Sequence, residues 1–177
     1  MAASGDFLII IVYINLSDIA TLGRRYDVTQ LFGNYQAFSA LLDDLLELCR
    51  EIEYDTVAGI DALGFILGTG SVVRSEKHFE PIRKGGKLPV EVHRECFIDY
   101  AAQDKSLEIR SDALEPSNRL LLVDEWIETA VQVKVAISLM EGPGAEITAV
   151  ISMAIDGSRT IRELRESYSV LEISQDH

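Results

Sequence analysis

Short, continuously apolar runs alternate with stretches of helical periodicity along most of this chain. Residues 55–60, 118–125 and 147–155 contain such runs, and a segment with helical character follows each of them. A strand that is covered on both faces has no solvent-facing side, so it appears in the sequence as an unbroken apolar run. The alternation therefore predicts an α/β fold with a mainly parallel, twisted sheet flanked by helices.

The remaining segments complete this pattern. Helices are predicted over residues 34–52, 64–75, 129–141 and 159–167, and further strands over 78–83, 95–100, 105–114 and 168–173. The stretch "KSLEIR" (105–110) alternates in side-chain character, which is typical of a half-solvated antiparallel strand. Together with residues 95–100 it predicts a β-hairpin flap. The stretch "RKGGKLP" (83–89) contains two glycines and a proline and predicts a loop.

Length and charge exclude several classes of protein. A chain of 177 residues predicts a single domain, 1–177. The formal net charge of −13 disfavours a nucleic acid or an anionic membrane as partner, because their phosphates would meet a repelling field. The apolar run 7–16 is too short to span a bilayer, and Asp6 stands where a signal peptide would be basic. We therefore expect a cytoplasmic protein without a targeting sequence.

The two cysteines do not indicate a disulfide framework or a metal site. Cys49 and Cys96 are far apart in the sequence, and Cys49 lies on the apolar side of a predicted helix. A buried free thiol is the expected state of Cys49.

An acidic pair, Asp124 and Glu125, follows the apolar run "LLLV". Ligands of parallel sheets bind beyond the carboxyl ends of the strands, where these two carboxylates are expected to lie. They could accept hydrogen bonds from vicinal sugar hydroxyls or hold Mg²⁺ together with phosphate oxygens. The alternative is a solvated turn that caps the next helix. Thr129, at the predicted helix start, is a suitable cap, and the amides of that helix end also attract anions.

Two further segments are candidates for anion binding. The strand–helix turn "GIDALGFILGTG" (59–70) is rich in glycine but lacks the spacing of a dinucleotide or triphosphate loop, so packing explains its glycines equally well. Arg83, Lys84 and Lys87 concentrate three cations in five residues of an acidic chain, which indicates an anion contact; a solvated loop is the alternative. The histidines show no ligand spacing, and the protein alone is not expected to supply a metal site.

The glycine-rich turn, the cationic loop and the acidic pair, in their order along the chain, resemble the adenine phosphoribosyltransferase branch of the type I phosphoribosyltransferases. The resemblance extends from about Tyr26 to the last strand. "VAGIDALGFILG" is similar to that family's VAGLDSRGFLFG, and "PIRKGGKLP" to its RK-x-GKLP. "FIDY…KSLEIRSDAL" is similar to LEYG…LEI-x-KDAL, and "LLLVDEWIETAVQ" to a segment containing VDDLLATGGT.

The resemblance implies a reaction and a setting. A purine, adenine-like base displaces pyrophosphate from phosphoribosyl pyrophosphate (PRPP) in the presence of Mg²⁺ and gives a nucleoside monophosphate, a step of nucleotide salvage. It further implies a type I phosphoribosyltransferase fold with an N-terminal hood and edge segment, 1–33, and a core, 34–177, in a homodimer. The alternative is that the chain is a catalytically weak or inactive relative, which binds a nucleotide or PRPP and has a regulatory role.

The resemblance also implies a role for each site residue. Asp124 and Glu125 would hold the ribose hydroxyls, with Mg²⁺ bound through PRPP and Asp124. Asp61 and Ala62 would form the pyrophosphate loop. In the family this loop contains a non-proline cis peptide bond. The 5′-phosphate would bind a loop of five residues: Glu128, Thr129, Ala130, Val131 and Gln132. Cations facing the base and the pyrophosphate would be Arg83, Lys84 and Lys87. Asp99, directly before Tyr100, stands where the family has a glutamate. In the family that glutamate protonates or positions the base nitrogen.

The chain departs from the family pattern at two phosphate-binding segments. The family's Ala-Thr-Gly-Gly-Thr is here the five residues from Glu128 to Gln132, and its Ser-Arg-Gly is Ala62, Leu63 and Gly64. Glycines let a backbone wrap closely around a phosphate, whereas a β-branched valine restricts that approach. We therefore expect a retuned phosphate site in which Glu128 points away or pairs with a cation.

Overall fold

The computed structural model describes residues 28–99, 102–155 and 159–173. By the proximity of Cα atoms the chain divides into two compact units, Met1–Leu48 and Cys49–His177. The apolar run 7–16 and the part of the predicted hood that precedes residue 28 lie outside the described residues. Among the described residues, none of the helices is long and apolar enough to cross a membrane.

The described part of the first unit consists of two helices, α1 (Thr29–Phe32) and α2 (Tyr35–Leu48). The Asn34 side chain accepts a hydrogen bond from the Ala37 amide (3.1 Å) at the beginning of α2. Leu41, Leu42 and Leu45 are buried, as the helical spacing predicts. The predicted helix 34–52 ends early, at Leu48, because the chain then turns.

The second unit contains a seven-stranded sheet with the order β3-β4-β2-β1-β5-β6-β7. Its strands are β1 (Thr56–Ile60), β2 (His78–Lys84), β3 (Val92–Ile98), β4 (Asp104–Arg110), β5 (Arg119–Ile127), β6 (Glu146–Ile155) and β7 (Val170–Glu172). Strands β2, β1, β5, β6 and β7 are parallel to their neighbours in that series, and β3 and β4 are antiparallel. The predicted α/β fold with a mainly parallel sheet and a hairpin flap is confirmed.

Strand β4 differs from its prediction. It ends at Arg110, where the chain turns, rather than extending to residue 114. Leu107, Glu108 and Ile109 are all buried, so the expected half-solvated alternation is wrong. The reason is that β4 lies between β2 and β3, and the loop after β2 contacts the Glu108 side chain.

Three helices accompany the sheet: α3 (Leu63–Ser75), α4 (Val131–Glu141) and α5 (Arg159–Ser167). A Cβ added to Gly59 would lie 2.5 Å from the Gly64 carbonyl oxygen, so glycine permits α3 to pack closely on β1. The packing interpretation of this glycine-rich turn is therefore confirmed. Helices α4 and α5 contribute to one apolar core with β1, β2, β4, β5 and β6. Cys49 is a buried cysteine outside any disulfide, as expected.

Candidate active site

The carboxyl ends of β1, β2 and β5 meet at one edge of the sheet. In the parallel register Ile60 lies opposite Ile82, and Gly59 lies opposite Val123. The residues that follow these positions therefore share that edge, where parallel sheets bind ligands. The structure thus gathers the three segments that the sequence singled out.

Asp61 and Arg83 form an ion pair at this edge. The Arg83 Nε donates a hydrogen bond to the Asp61 Oδ2 over 3.2 Å, and the guanidinium lies 5.9 Å from the centre of the Phe65 ring. The Asp61–Ala62 peptide is cis, at the position where the resemblance implies such a bond. Arg83 and Lys84 belong to β2. Arg83 ends the strand predicted over 78–83, and the prediction that Lys84 lies in a loop is wrong. Pairing with Glu108 and Leu107 of β4 extends the strand through both residues.

The acidic pair lies inside β5 rather than at its end. The strand continues to Ile127 because β6 pairs with it as far as Ile155, so the predicted strand end is wrong. Asp124 is buried, and its Oδ1 accepts a hydrogen bond from the Glu125 amide (3.0 Å). Burial first, and then the neighbouring Glu125 carboxylate, raise the pKa of Asp124 well above its ordinary value, while Lys84 opposes the shift. The edge therefore holds a buried carboxyl close to a second carboxylate and to an ammonium group.

The segment after β5 adopts a conformation that its sequence does not suggest. Ala130 has φ 58°, in the left-handed region that glycine adopts most readily, and it is the N-cap of α4. The helix begins at Val131 and its N-cap is Ala130, which forms no side-chain cap, so the predicted capping by Thr129 is wrong. The left-handed turn at Ala130 puts Thr129 one residue outside the cap position. The N-cap side chain thus accepts no hydrogen bond from the first-turn amides of α4, which suits an anion.

The loop after β2 is fastened to β4 by a residue that the sequence analysis did not select. The Glu108 carboxylate accepts hydrogen bonds from the amides of Gly86 (2.9 Å), Lys87 (2.6 Å) and Leu88 (2.9 Å). It also accepts two from the Arg94 guanidinium, at 2.7 and 3.2 Å. The sequence did contain a signal for this residue, because Glu108 is an acidic residue between two apolar ones in a predicted strand, and a glycine-rich loop precedes that strand in the chain. The alternating pattern of that strand made the residue look solvated.

Asp99 follows β3 at the turn of the hairpin. Its Oδ1 accepts a hydrogen bond from the Gln103 amide over 2.9 Å, which stabilises that turn. Tyr100 lies outside the described residues. The assignment of Asp99 to the base nitrogen stays a prediction.

The two carboxylates at this edge would suit a magnesium ion. Within residues 28–99, 102–155 and 159–173, no three or more histidine, cysteine, aspartate or glutamate side chains are grouped to hold a metal. Asp124 and Glu125 offer the one or two carboxylates that Mg²⁺ commonly uses beside phosphate oxygens and water.

Known proteins resemble this chain over most of its length. No protein-family model matches the sequence. The chain is 32 % identical over 151 residues to an adenine phosphoribosyltransferase of Halothermothrix orenii, which covers 85 % of this chain and 88 % of the relative. It is 39 % identical over 144 residues to an adenine phosphoribosyltransferase of a Methylobacterium species, covering 78 % of each.

The fold is also that of a solved relative. The crystal structure of adenine phosphoribosyltransferase from Thermoanaerobacter pseudethanolicus matches with a TM-score of 0.79 and 25 % identity, over 84 % of this chain and 86 % of that one. The sequence-based resemblance is confirmed, and the chain belongs to the adenine phosphoribosyltransferase family of type I phosphoribosyltransferases.

Proposed function

We propose that this chain is a phosphoribosyltransferase that transfers the phosphoribosyl group of PRPP to a purine, adenine-like base and releases pyrophosphate. The product is a nucleoside monophosphate, and the reaction belongs to nucleotide salvage. Family membership supports the reaction. The observation that carries it is the meeting of the Asp124–Glu125 pair, Lys84 and the Asp61–Arg83 pair at one sheet edge.

The chemistry of the transfer requires both signs of charge. The bond from the anomeric carbon to pyrophosphate breaks, a bond to a base nitrogen forms, and that nitrogen loses its proton. The sugar gains positive character and the leaving group is an anion, so carboxylates near the ring and cations beside the pyrophosphate lower the barrier. In our proposal Asp124 and Glu125 hold the ribose hydroxyls, Asp99 and Tyr100 face the base, and the cations of β2 and its loop face the pyrophosphate.

The 5′-phosphate binds at the beginning of α4 in this proposal. The amides of Val131 and Gln132 and the Thr129 hydroxyl donate to it, while Ala130 provides the left-handed turn that directs the chain around the phosphate. A carboxylate about 4 Å from a phosphate oxygen would cost about 4 kcal/mol at an effective dielectric of 20. Glu128 therefore points away from the phosphate or pairs with a cation.

Asp124 would hold Mg²⁺ together with oxygens of PRPP, and the ion would neutralise part of the pyrophosphate charge. The protein's own contribution at this point is to hold the carboxylates in β5 and to exclude water from the ring. We also propose a cytoplasmic homodimer in which 1–33 forms the hood and edge segment and 34–177 the core of one domain. Light scattering after size exclusion measures the dimer.

The direct test supplies the purified protein with PRPP, Mg²⁺ and a panel of purine bases. Pyrophosphate release and nucleotide formation are measured in parallel. We expect AMP from adenine and none from the Asp124→Asn variant. Absence of both products with every base, in protein that is folded by circular dichroism, would refute the proposal.

The regulatory alternative gains no support from the relatives named above, which are all transferases. One composite variant separates it from the enzyme: Glu128→Ala with Ala130→Gly, Val131→Gly and Gln132→Thr, which restores the family's loop. An active, retuned enzyme should lose or change its activity in this variant. An inactive relative should instead gain affinity for PRPP, as measured by calorimetric titration.

A further inference from the structure

A fully buried carboxylate lies beside the proposed leaving-group site without belonging to it. Glu108, in β4, has 0 % of its surface exposed, and both of its oxygens accept hydrogen bonds. Its Oε1 accepts from the amides of Lys87 and Leu88, and its Oε2 from the Gly86 amide and the Arg94 guanidinium. A carboxylate is costly to bury, so its retention in a dry position needs this complete set of donors.

These hydrogen bonds determine the shape of the loop after β2. Three consecutive amides converge on one side chain, and the Gly85 amide also donates to the Ser106 carbonyl oxygen (2.9 Å). A Cβ at Gly85 would overlap the Ser106 hydroxyl, so the loop lies directly against β4. The path of the chain from Lys84 to Lys87 is therefore set by its contacts with β4, which the glycine at position 85 permits.

The same residue links three parts of the unit. In the antiparallel registers Glu108 lies opposite Arg83 of β2 on one side and opposite Arg94 of β3 on the other. The anchored loop directly follows Arg83 and Lys84 at the end of β2. Arg83 is joined to Asp61, and Lys84 acts on Asp124, so these cations reach two proposed substrate-binding positions. A displacement of this loop would move the cations without removing any of them.

We propose that Glu108 is a positioning residue, which holds the loop after β2 so that Lys87 in this loop, and Lys84 at the adjoining end of β2, direct their ammonium groups at the pyrophosphate of PRPP. This inference rests on the proposed phosphoribosyl transfer. Glu108 itself touches neither substrate nor reacting atoms and acts only through the loop amides.

The charge state of the anchor is stable near neutral pH. Burial alone would raise the pKa of Glu108, but the amides of Gly86, Leu88 and Lys87 and the Arg94 side chain outweigh burial and lower the pKa to about 2. The carboxylate therefore stays ionised at every pH at which the enzyme would be assayed. The pH profile of the wild-type activity should show no titration of this group.

Glu108→Gln tests the inference. Glutamine keeps the size and one acceptor oxygen, but in either orientation its amide nitrogen faces donors, those of Gly86 and Arg94 or those of Lys87 and Leu88, so the loop has to shift. We expect the KM for PRPP to rise about tenfold, with kcat and the KM for the base changed less than about threefold. Glu95→Gln, an exposed glutamate of β3, is the matched control and should change none of these constants.

A second variant decides the matter if Glu108→Gln does not fold. Arg94→Gln removes only the guanidinium from the Glu108 carboxylate and leaves the three amides, and Arg94 is half exposed. We expect a rise of about threefold in the KM for PRPP.

A folded Glu108→Gln with an unchanged KM for PRPP, even at reduced thermal stability, would show that Glu108 is merely structural. An unfolded Glu108→Gln together with an unchanged Arg94→Gln would overturn the inference as well. An inactive wild-type protein would instead contradict the proposed function, so the two failures are distinct.

Discussion

The Arg83 guanidinium lies 3.2 Å, from Nε to Oδ2, from the Asp61 carboxylate and so joins the ends of β2 and β1. Leu63, two residues after Asp61, stands where the family has an arginine. A guanidinium binds phosphate oxygens in a bidentate manner that leucine cannot reproduce. We therefore expect Arg83 to carry the leaving-group contact that Leu63 lacks.

Arg83→Gln should lower kcat/KM for PRPP by about 100-fold, because it removes a cation from the departing pyrophosphate. Leu63→Arg in the same chain should recover part of that loss. Steady-state kinetics of the two single variants and the double variant measure the coupling. Arg159→Gln, which changes an exposed arginine of α5, serves as the control. Equal kinetic constants for Arg83→Gln and the control would show that Arg83 does not contact the pyrophosphate.

Asp124→Asn should abolish turnover and yet stabilise the ligand-free protein near pH 7. An aspartate whose pKa is raised on folding keeps its proton in the folded state after the unfolded chain has lost it, so stability falls as pH rises above the unfolded value. Asparagine carries no such penalty and keeps the Oδ1 that the Glu125 amide requires.

Urea denaturation of both proteins between pH 4 and pH 8 measures this effect, and the stability gap should close toward the acid end. Glu125→Gln, at a half-buried position, should show a smaller gap. A wild-type protein that is as stable as Asp124→Asn at pH 8 would argue against a strained acidic pair.

Ala130→Gly should raise the free energy of unfolding by up to about 1 kcal/mol, because it removes the strain of a left-handed alanine. Glu76→Gly is a matched comparison, since Glu76 has φ 55° at the end of α3, away from the carboxyl edge of the sheet. Both variants should gain stability in denaturant titrations. Only Ala130→Gly should alter the KM for PRPP. A similar kinetic change in Glu76→Gly would show that the effect does not depend on the phosphate loop.

Glu80→Gln should stabilise the protein at pH 8 and not at pH 4.5. Burial first, and Asp112 in addition, raise the pKa of Glu80 from 4.5 to about 7 against the opposing charge of Arg110. The Glu80 Oε1 is buried, and no described residue gives it a hydrogen bond. Stability should therefore fall as pH rises from about 4.5 to about 7, since the folded state retains the proton.

The glutamine variant lacks this pH dependence. At pH 8 the gain should be on the order of 1–2 kcal/mol after allowance for solvent screening of a partly exposed group. Thermal denaturation across this pH range is the measurement, with Glu95→Gln as the exposed control. Parallel stability curves for wild type and Glu80→Gln would contradict the raised pKa.

Several parts of the site could be predicted because they depend on local order along the chain. An apolar run followed by Asp61, and another followed by Asp124, must bring both carboxylates to the same edge once the strands pair in parallel. The match of four motifs in register then identified the family. The roles of the site residues, from the ribose-binding carboxylates to the 5′-phosphate loop, remain predictions.

The succession of strands and helices, the hairpin and the carboxyl edge with the acidic pair follow from side-chain periodicity and strand order, which are properties of the chain. The continuation of β5 past Asp124 does not, since pairing with β6 sets the end of that strand. The left-handed turn at Ala130 and the burial of Glu108 beneath the loop after β2 also emerge only in the folded protein. Both depend on partners that are distant in the sequence or on a backbone conformation that alanine does not favour, and local pattern contains neither.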